Sequence, residues 1–282
     1  MSQSSLAVDV SKVDGSRRDQ LADSVAIEEP LEIRLGYSTE DGRASKSLSI
    51  TMRTPGDDFE LAAGFLVSES IIRSGKDILS IEYCGKPAPD SGLNNVVRVE
   101  LAGSVTVDTS RLQRHFYTTS SCGVCGKASL EALETAGMTP LTTNTSTFSR
   151  QVLSDMPDRL RAQQDVFEQT GGLHAAAAFT TNGEIVCLRE DVGRHNAVDK
   201  VVGRLLLDDQ LPAGQLGLIV SGRASFELMQ KALCAGMPLL AAISAPSSLA
   251  VKLARDFDMS LVGFLRGSRF NVYAGDQRVS DA

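Results

Sequence analysis

Residues 216–243 read LGLIVSGRASFELMQKALCAGMPLLAAI and hold two apolar runs on either side of a helical pattern. The runs 216–220 and 239–243 are short and rich in aliphatic side chains, as buried strands are. Between them, residues 224–234 repeat apolar positions at helical spacing. A strand that leads through a helix into another strand is typical of α/β proteins. This stretch therefore predicts an α/β fold for the second half of the chain.

The same alternation continues on both sides of this unit. Further strands are predicted at 185–188, 261–265 and 270–273, and further helices at 194–207, at 247–255 with Ser247 as the cap, and from Pro157 at the first helical position to about residue 169. Strands that alternate with helices predict a mostly parallel sheet with helices on both faces.

The first half has a different character. Apolar residues alternate through 31–37 and again through 48–52, with a turn at 40–42, which predicts a β-hairpin. Asp57 followed by Glu60 predicts a capping box at the start of a helix. Two more strands are predicted at 78–83 and 96–101. A hairpin, a helix and two strands in this order predict a smaller α+β subdomain.

Two changes in composition divide the chain. Residues 1–24 are rich in polar and charged side chains, and we predict a disordered tail there. Residues 139–149 form a connector rich in Thr, Ser and Asn, which marks a boundary between subdomains. The predicted segments are thus the tail, an α+β subdomain over 25–145, and an α/β subdomain over 146–282.

The overall composition narrows the class of protein. The chain of 282 residues is 42% hydrophobic, enough to bury a full core. A net charge of −7 argues against a general nucleic-acid binder, which needs clustered positive charge. Five cysteines without a disulfide-framework spacing indicate a reducing compartment. We see neither a secretory signal nor the roughly 18 consecutive apolar residues that a membrane helix needs, so we expect a cytoplasmic protein that does not enter the membrane.

The most reactive-looking stretch is TTSSCGVCG, residues 118–126, which places Cys122 and Cys125 in a C-x-x-C pair flanked by glycines. A helical pattern follows, and Lys127 adds a positive charge beside the pair. The N-terminus of a helix and a nearby cation both lower the pKa of a thiol, and the thiolate is the nucleophile. The spacing therefore predicts an accessible, reactive thiol pair on a glycine-rich loop.

Several functions fit a single C-x-x-C pair: half of a zinc site, a redox dithiol, a sulfur carrier, or chance. A structural zinc site needs about four ligands. Cys84, Cys187 and Cys234 stand singly in the sequence, and His115 lies seven residues before Cys122. One histidine and two cysteines leave a zinc set short, and thiol chemistry is the preferred interpretation.

Three charged or small-residue stretches follow predicted strands, at 189–196, 221–225 and 264–269. Ligands of α/β sheets bind beyond the carboxyl ends of the strands. Backbone N–H groups, hydroxyls such as Ser221 and guanidinium groups such as Arg223 are suited to phosphate or pyrophosphate. The three stretches together predict an anionic-ligand site at one edge of the sheet.

Two histidines stand in sequence contexts that allow a functional role. His195, in the first turn of a helix, is either a hydrogen-bonded structural residue or a ligand contact or proton relay. His174 begins the sequence His-Ala-Ala, which invites comparison with the H-x-E motif of zinc deaminases. Alanine replaces the proton-shuttling glutamate here, and the C-x-x-C pair lies upstream instead of downstream. Deaminase activity is therefore disfavoured, although a related fold is not.

These motifs together resemble the formate dehydrogenase accessory sulfurtransferase family, FdhD. The resemblance runs from about residue 25 to residue 273, and REDVGRHNAVDK is its most specific part. The motifs that carry it are RTPGD at 53–57, LAAGFL at 61–66, SCGVCG at 121–126, GGLHAA at 171–176, REDVGRHNAVDK at 189–200, SGR at 221–223 and FLRGSR at 264–269.

The resemblance implies a sulfur carrier. Such a protein receives sulfur from a cysteine desulfurase and passes it to the molybdenum bis(molybdopterin guanine dinucleotide) cofactor before that cofactor enters formate dehydrogenase. The cofactor is a bound substrate, and the carrier holds no metal tightly. The resemblance also implies a homodimer and a cytidine-deaminase-like, three-layer α/β core.

Individual roles follow from the matching motifs. By resemblance, Cys122 carries the persulfide and Cys125 assists. The segment that binds the cofactor is Phe264, Leu265, Arg266, Gly267, Ser268 and Arg269. The anionic edge predicted from the sequence pattern adds Ser221, Arg223 and His195. An alternative is a chaperone that binds the cofactor and docks formate dehydrogenase without covalent chemistry.

Overall fold

A computed structural model of the chain describes residues 4–105, 107, 130, 133–134 and 137–281. The predicted cysteine loop with Cys122 and Cys125, and also His115, lie outside these residues. Within the described part, the fold is a mixed α/β arrangement with sheets of four and six strands. The four-stranded sheet falls in the segment 25–145, and the six-stranded sheet falls in the segment 146–282.

The four-stranded sheet has the strand order β4-β3-β6-β5. Its strands are β3 (Glu29–Thr39), β4 (Gly42–Arg53), β5 (Ile78–Tyr83) and β6 (Val96–Leu101). Helix α1 (Asp58–Ser68) follows β4. The side chains of Leu31, Ile33 and Leu35 are buried, so the alternation in the sequence marks the inner face of β3. The predicted hairpin and the two predicted strands are confirmed.

The six-stranded sheet has the order β13-β12-β11-β10-β8-β9. The strands are β8 (His174–Thr180), β9 (Ile185–Asp191), β10 (Leu216–Val220), β11 (Leu239–Ala242), β12 (Ser260–Arg266) and β13 (Arg269–Ala274). Strands β10, β11 and β12 are parallel, whereas β8 is antiparallel to both of its neighbours and β13 is antiparallel to β12. The prediction of a mostly parallel sheet is therefore wrong. The turns at 181–184 and 267–268 are too short for a crossover, so they impose antiparallel pairing.

Helices cover both faces of this sheet, as predicted. The helices of this half are α2 (Arg150–Arg161), α3 (Asp165–Thr170), α4 (Arg194–Leu207), α5 (Phe226–Cys234) and α6 (Ser248–Asp256). Ala176 and Ala178 of β8 pack in one core cluster with α4, α5 and α6. Ala177 and Phe179 point to the opposite cluster, where α2 packs. The side-chain period of two thus distributes a single small-residue strand between two cores.

Two helix predictions differ from the structure in part, although Asp57 is the N-cap of α1 as predicted. The capping box of Asp57 and Glu60 is wrong, because both carboxylates turn to Arg189, whose Nε lies 3.4 Å from Asp57 Oδ2 and 2.5 Å from Glu60 Oε2. Pro157 lies inside α2 rather than at its first position. The hydroxyl of Ser149 accepts a hydrogen bond from the backbone N–H of Val152, and this cap sets the start of the helix.

The amino-terminal segment also differs from its prediction. Instead of a disordered tail over residues 1–24, the structure has a hairpin of β1 (Ser5–Asp14) and β2 (Arg17–Ala26). Leu6 pairs with Val25 and Val10 pairs with Leu21, so apolar side chains meet across the two strands. The prediction missed these strands because the many polar residues of the segment made the alternating apolar residues inconspicuous. The last residues form a short strand, β14 (Val279–Ser280), which pairs with β7 (Phe148–Ser149).

Helices α1 and α4 join the two halves through a close glycine contact. A Cβ atom on Gly64 would lie 1.8 Å from the carbonyl oxygen of Asp199, and a Cβ on Gly203 would lie 1.8 Å from that of Glu60. Only glycine permits the two backbones to approach this closely. One hydrophobic core then runs continuously from the four-stranded sheet to the α4 face of the six-stranded sheet.

Buried charges reinforce this junction. Lys200 Nζ lies 2.8 Å from Asp191 Oδ2, and it donates a hydrogen bond to the carbonyl of Thr54 at 2.9 Å. The preceding residue of the same helix, Asp199, pairs with Lys231 at 2.8 Å and accepts a hydrogen bond from Ser68. Removing one partner of a buried pair leaves an uncompensated charge, so these contacts define one relative position of the halves.

No helix among the residues that the structure describes is both long and apolar enough to cross a membrane.

The glycine contact yields a stability prediction. Gly64→Ala forces α1 and α4 apart, and we expect it to lower the free energy of unfolding by about 3 kcal/mol, the upper end of the usual cost of overpacking. Chemical denaturation followed by circular dichroism measures this change. Gly103→Ala is the control, because its Cβ would meet only Ser38 Oγ at 3.8 Å. Equal stability of the two variants would contradict the proposed role of the contact.

Candidate functional site

Strand direction brings the three predicted stretches to one edge of the six-stranded sheet. Strands β9, β10 and β12 run in the same direction, and their carboxyl ends lead into residues 189–196, 221–225 and 264–269. His174 lies at the same edge, because β8 is antiparallel and begins where β10 ends. The sequence prediction of a shared edge therefore agrees with the topology.

An open cavity of about 710 Å³ lies at the β12–β13 end of this edge. Its lining residues are Arg150, Phe264, Arg266, Ser268, Arg269, Phe270 and Asn271. Its volume lies within the usual range for small-molecule sites, about 300–1,000 Å³. Guanidinium groups and aromatic rings in one cavity suit a ligand that combines an anion with a planar ring.

A bulge in β12 turns Phe264 toward this cavity. Val262 and Leu265 pack in the same core cluster although they are three residues apart, because the register shifts between Gly263 and Arg266. Phe264 is 40% exposed, and its φ of 53° is rare for a bulky side chain. Its backbone N–H donates to the carbonyl of Ser244 at 3.1 Å, which holds this conformation.

The remaining residues of the segment divide by orientation. Leu265 is fully buried, so its side chain belongs to the core and not to a ligand surface. Gly267 and Ser268 form a two-residue turn between β12 and β13, and Gly267 has the positive φ of 53° that such a turn requires. Arg266 and Arg269 pair across this hairpin and are exposed. Two guanidinium groups therefore flank the turn on the side of the cavity.

Ser221 and Arg223 lie farther along the edge. Strand β10 is two positions from β12 in the sheet, or about 10 Å. The hydroxyl of Ser221 accepts a hydrogen bond from the backbone N–H of Ala175 at 2.9 Å, so it also stabilises the start of β8. Arg223 is exposed. Neither residue lines the cavity, and only an extended ligand would reach both regions.

His195 lies at the start of α4, and β9, which leads into this helix, is four strand positions from β12, about 19 Å. Its Nε2 atom is buried and has no hydrogen-bond partner within the described residues, with Glu227 Oε2 at 4.0 Å. The pKa of His195 is lowered to about 4, mainly by burial and to a smaller extent by the charges of Lys231 and Arg194. A group with this pKa is neutral at pH 7, which disfavours a proton relay and favours a neutral hydrogen-bonding contact.

His174 is a neighbour of His195 on this edge. Burial and the charge of Arg194 lower the pKa of His174, against the opposing effect of Asp191. The ring of His174 lies beside the backbone of Gly222, where a Cβ would meet its Nδ1 at 3.5 Å. Both imidazoles are thus held toward the neutral state at the junction of β8, β10 and α4.

Most of the REDVGRHNAVDK motif has a structural role that the sequence did not reveal. Asp191 accepts hydrogen bonds from the backbone N–H groups of Thr54 and Gly193 in addition to the Lys200 ion pair. Asn196 donates to the carbonyl of Met52 at 2.7 Å. These contacts tie β9 and α4 to the end of β4. The sequence contained one indication of this role, because it holds both this motif and RTPGD at 53–57. The structure shows that these two motifs contact each other.

Arg150, Phe270 and Asn271 line the cavity but were not predicted. Phe270 and Asn271 continue the segment 264–269 along β13. Arg150 comes from the first position of α2. It escaped notice because the sequence placed the start of that helix at Pro157, seven residues later.

The described cysteines differ in their suitability for thiol chemistry. Burial raises the pKa of Cys187 and that of Cys234 to about 11 each, so both thiols stay protonated at neutral pH. Cys84 is partly buried at the end of β5. Among the residues that the structure describes, no group of three or more His, Cys, Asp or Glu is arranged to hold a metal ion.

Comparison with known proteins adds an independent finding. The model described as the FdhD/NarQ family matches residues 26–280. A protein named sulfur carrier protein FdhD from Streptomyces coelicolor is 56% identical over 260 residues, which cover 92% of this chain and 89% of the relative. One of the same name from Mycobacterium tuberculosis is 48% identical over 262 residues, 92% of both chains.

A solved structure also resembles this chain. It is a crystal structure of a formate dehydrogenase accessory protein from Desulfotalea psychrophila, with a TM-score of 0.75 and 24% sequence identity. The likeness covers 99% of this chain and 100% of the other. At this identity it shows a shared fold.

The environment of His195 yields a titration prediction. We expect its imidazole to titrate with a pKa of about 4, because burial and nearby cations disfavour the charged form. NMR measurement of the ring protons over a pH series, assigned by comparison with His195→Gln, checks this value. A midpoint near the ordinary value of 6.5 would contradict the described burial.

The same shift affects stability. On unfolding, the pKa of His195 returns toward 6.5. Between pH 6.5 and about pH 4, His195 is therefore protonated in the unfolded chain but neutral in the folded protein. The free energy of unfolding therefore falls as the pH falls through this window. We expect the His195→Gln variant to lose less stability over this range than the unsubstituted protein does.

Proposed function

This chain belongs to the FdhD/NarQ family, and we propose that it is a sulfur carrier in the maturation of formate dehydrogenase. It receives persulfide sulfur from a cysteine desulfurase and passes it to the molybdenum bis(molybdopterin guanine dinucleotide) cofactor before insertion. The observation that carries the proposal is identity of 56% along 92% of the chain with a protein named sulfur carrier protein FdhD. The cavity at the edge of the sheet supports the part that concerns the ligand.

The proposal assigns the persulfide to Cys122. Among the other cysteines, Cys187 and Cys234 are poor nucleophiles, because burial raises the pKa of each to about 11. In the sequence, Cys122 and Cys125 are flanked by glycines and followed by Lys127, a pattern that favours a thiolate. This comparison supports the choice of the C-x-x-C pair over Cys187 and Cys234.

Sulfur transfer to Cys122 is an exchange reaction. Its thiolate attacks the terminal sulfur of the desulfurase persulfide, a new S–S bond forms, and the desulfurase cysteine leaves as a thiolate. For release, the Cys125 thiolate attacks Cys122 Sγ, which expels hydrosulfide and forms a disulfide between the two cysteines. Cys122 and Cys125 together supply the two electrons that release the carried sulfur as hydrosulfide, and a cellular dithiol then reduces the disulfide.

The ligand contacts follow from the cavity. Arg266 and Arg269 would pair with phosphates of the guanine dinucleotide, since guanidinium groups bind phosphate in a bidentate manner. Phe264 would stack on the guanine ring, because an exposed aromatic face favours a planar heterocycle. The cofactor carries two pyrophosphates, and Ser221, Arg223 and the neutral His195 lie along the edge that its other end would follow.

Several further features belong to the proposal as consequences of family membership. They are a cytidine-deaminase-like core, a homodimer, cytoplasmic location, and association with both the desulfurase and formate dehydrogenase. An accessory protein of this kind acts by successive encounters and need not hold a metal of its own. The alternative, a chaperone that binds the cofactor without covalent chemistry, uses the same cavity but not the cysteines.

Persulfuration separates these two functions. We expect incubation with a cysteine desulfurase and cysteine to add the mass of one sulfur atom to the peptide that contains Cys122. Mass spectrometry of the intact protein and its peptides detects the added sulfur. Cys122→Ala should abolish it and should also abolish formate dehydrogenase maturation, while circular dichroism shows an unchanged fold.

Matched variants sharpen this experiment. Cys187→Ser and Cys234→Ser should keep the mass gain, because their thiols are buried and protonated. Cys125→Ser should accept sulfur but fail to deliver it. Normal maturation by the Cys122→Ala variant would refute the persulfide role, and an unmodified Cys122 peptide in a functional protein would favour the chaperone.

The ligand assignment predicts two kinds of binding defect. Arg266→Ala and Arg269→Ala should each weaken GDP binding by roughly 1.5–3 kcal/mol through loss of a charge-assisted contact. Phe264→Leu should weaken GDP binding but leave inorganic pyrophosphate binding unchanged, since it removes only ring stacking. Isothermal titration calorimetry measures both ligands. Unchanged GDP affinity in all three variants would mean that the nucleotide binds elsewhere.

A further inference from the structure

Arg150 reaches the nucleotide cavity from outside the segment 264–269. It is the first residue of α2, and its side chain lines the cavity together with Arg266 and Arg269. The first N–H groups of a helix lack partners within the helix, and here the Ser149 cap engages only that of Val152. Arg150 therefore adds a cation at a helix end that itself favours anions.

In this structure, the guanidinium group of Arg150 forms an ion pair with the carboxylate of Asp281. Strands β7 and β14 are parallel, with Val279 opposite Phe148 and Ser280 opposite Ser149. The next position in this register sets Asp281 beside Arg150, and their side chains form an ion pair. Both side chains are exposed, 60% for Arg150 and 80% for Asp281. A pair of this kind is weak and is readily exchanged for a better anion.

The segment that carries Asp281 is itself anchored. Arg278, just before β14, is 2% exposed. Its Nη2 lies 3.1 Å from Asp258 Oδ2 and donates to the carbonyl of Leu141 at 3.0 Å. The buried contacts of Arg278 hold β14 against β7, and the carboxylate of Asp281 therefore lies beside Arg150 at the rim of the cavity.

We propose that Arg150 is a third phosphate contact of the cavity and that Asp281 competes with the ligand for it. The proposal rests on the nucleotide ligand of the proposed function and adds a residue beyond the matched motifs. The cavity lining, as far as the structure describes it, contains three arginines and no acidic side chain. Three neighbouring guanidinium groups repel one another, and a pyrophosphate relieves this repulsion more fully than one carboxylate.

Calorimetry with GDP and with inorganic pyrophosphate tests this assignment. Arg150→Gln should lower the affinity for both ligands about threefold to tenfold, and Arg150→Lys should lower it less because the charge remains. Asp281→Asn should raise both affinities about twofold to fivefold. The controls Arg18→Gln and Asp14→Asn make the same charge changes at exposed positions of the β1–β2 hairpin and should leave both affinities unchanged.

The double variant isolates the competition. If Asp281 acts through Arg150, Asp281→Asn has no effect on affinity in the Arg150→Gln background. Two results would overturn the roles of Arg150 and Asp281 but leave the nucleotide ligand of the proposed function in place. They are an unchanged affinity of Arg150→Gln, or a gain from Asp281→Asn that persists in the double variant. Absence of GDP binding by the unsubstituted protein overturns the ligand of the proposed function as well, so the two failures are distinct.

Discussion

The contact on which the rest of the structure depends is the backbone crossing of α1 and α4 at Gly64 and Gly203. It brings the helices so close that a methyl group at either position would overlap a carbonyl of the other. Lys200, on the same helix as Gly203, forms a buried ion pair with Asp191 of β9 and donates a hydrogen bond to the carbonyl of Thr54, just after β4. Close packing and paired charges together determine how the two sheets sit against each other.

This junction changes the meaning of the most specific motif. In REDVGRHNAVDK, Arg189, Asp191, Asn196 and the Asp-Lys pair at its end contact the other half of the molecule. Arg194 and His195 lie at the edge of the sheet, where the helix begins. The motif is thus chiefly an interface within the chain that positions a small part of the ligand-facing edge.

Local patterns predicted much of the α/β half. The helix over 194–207 and the strand over 216–220 have the predicted bounds, because strong apolar periodicity and tertiary packing agree there. Strand direction was not predictable from periodicity, since it depends on the length of each connection. The β1–β2 hairpin was missed because polar composition concealed alternation that becomes visible only when the two strands pair.

The candidate site was predicted in part for similar physical reasons. A glycine between two arginines marks a turn with exposed cations, and that turn does flank the cavity. The bulge that buries Leu265 and exposes Phe264 depends on packing around Gly263, which no local pattern encodes. Arg150 meets the cavity only through the tertiary placement of α2, so proximity in sequence offered no clue to its role.

The central claim is that this protein transfers sulfur to a cofactor that contains guanine nucleotides. The most direct test follows the sulfur atom itself. The protein is loaded with labelled sulfur by a cysteine desulfurase, purified, and mixed with the molybdenum bis(molybdopterin guanine dinucleotide) cofactor, with or without excess GDP. The account predicts that the label moves from the protein to the cofactor and that GDP blocks this transfer. Label that stays on the protein, or transfer that GDP does not affect, would contradict it.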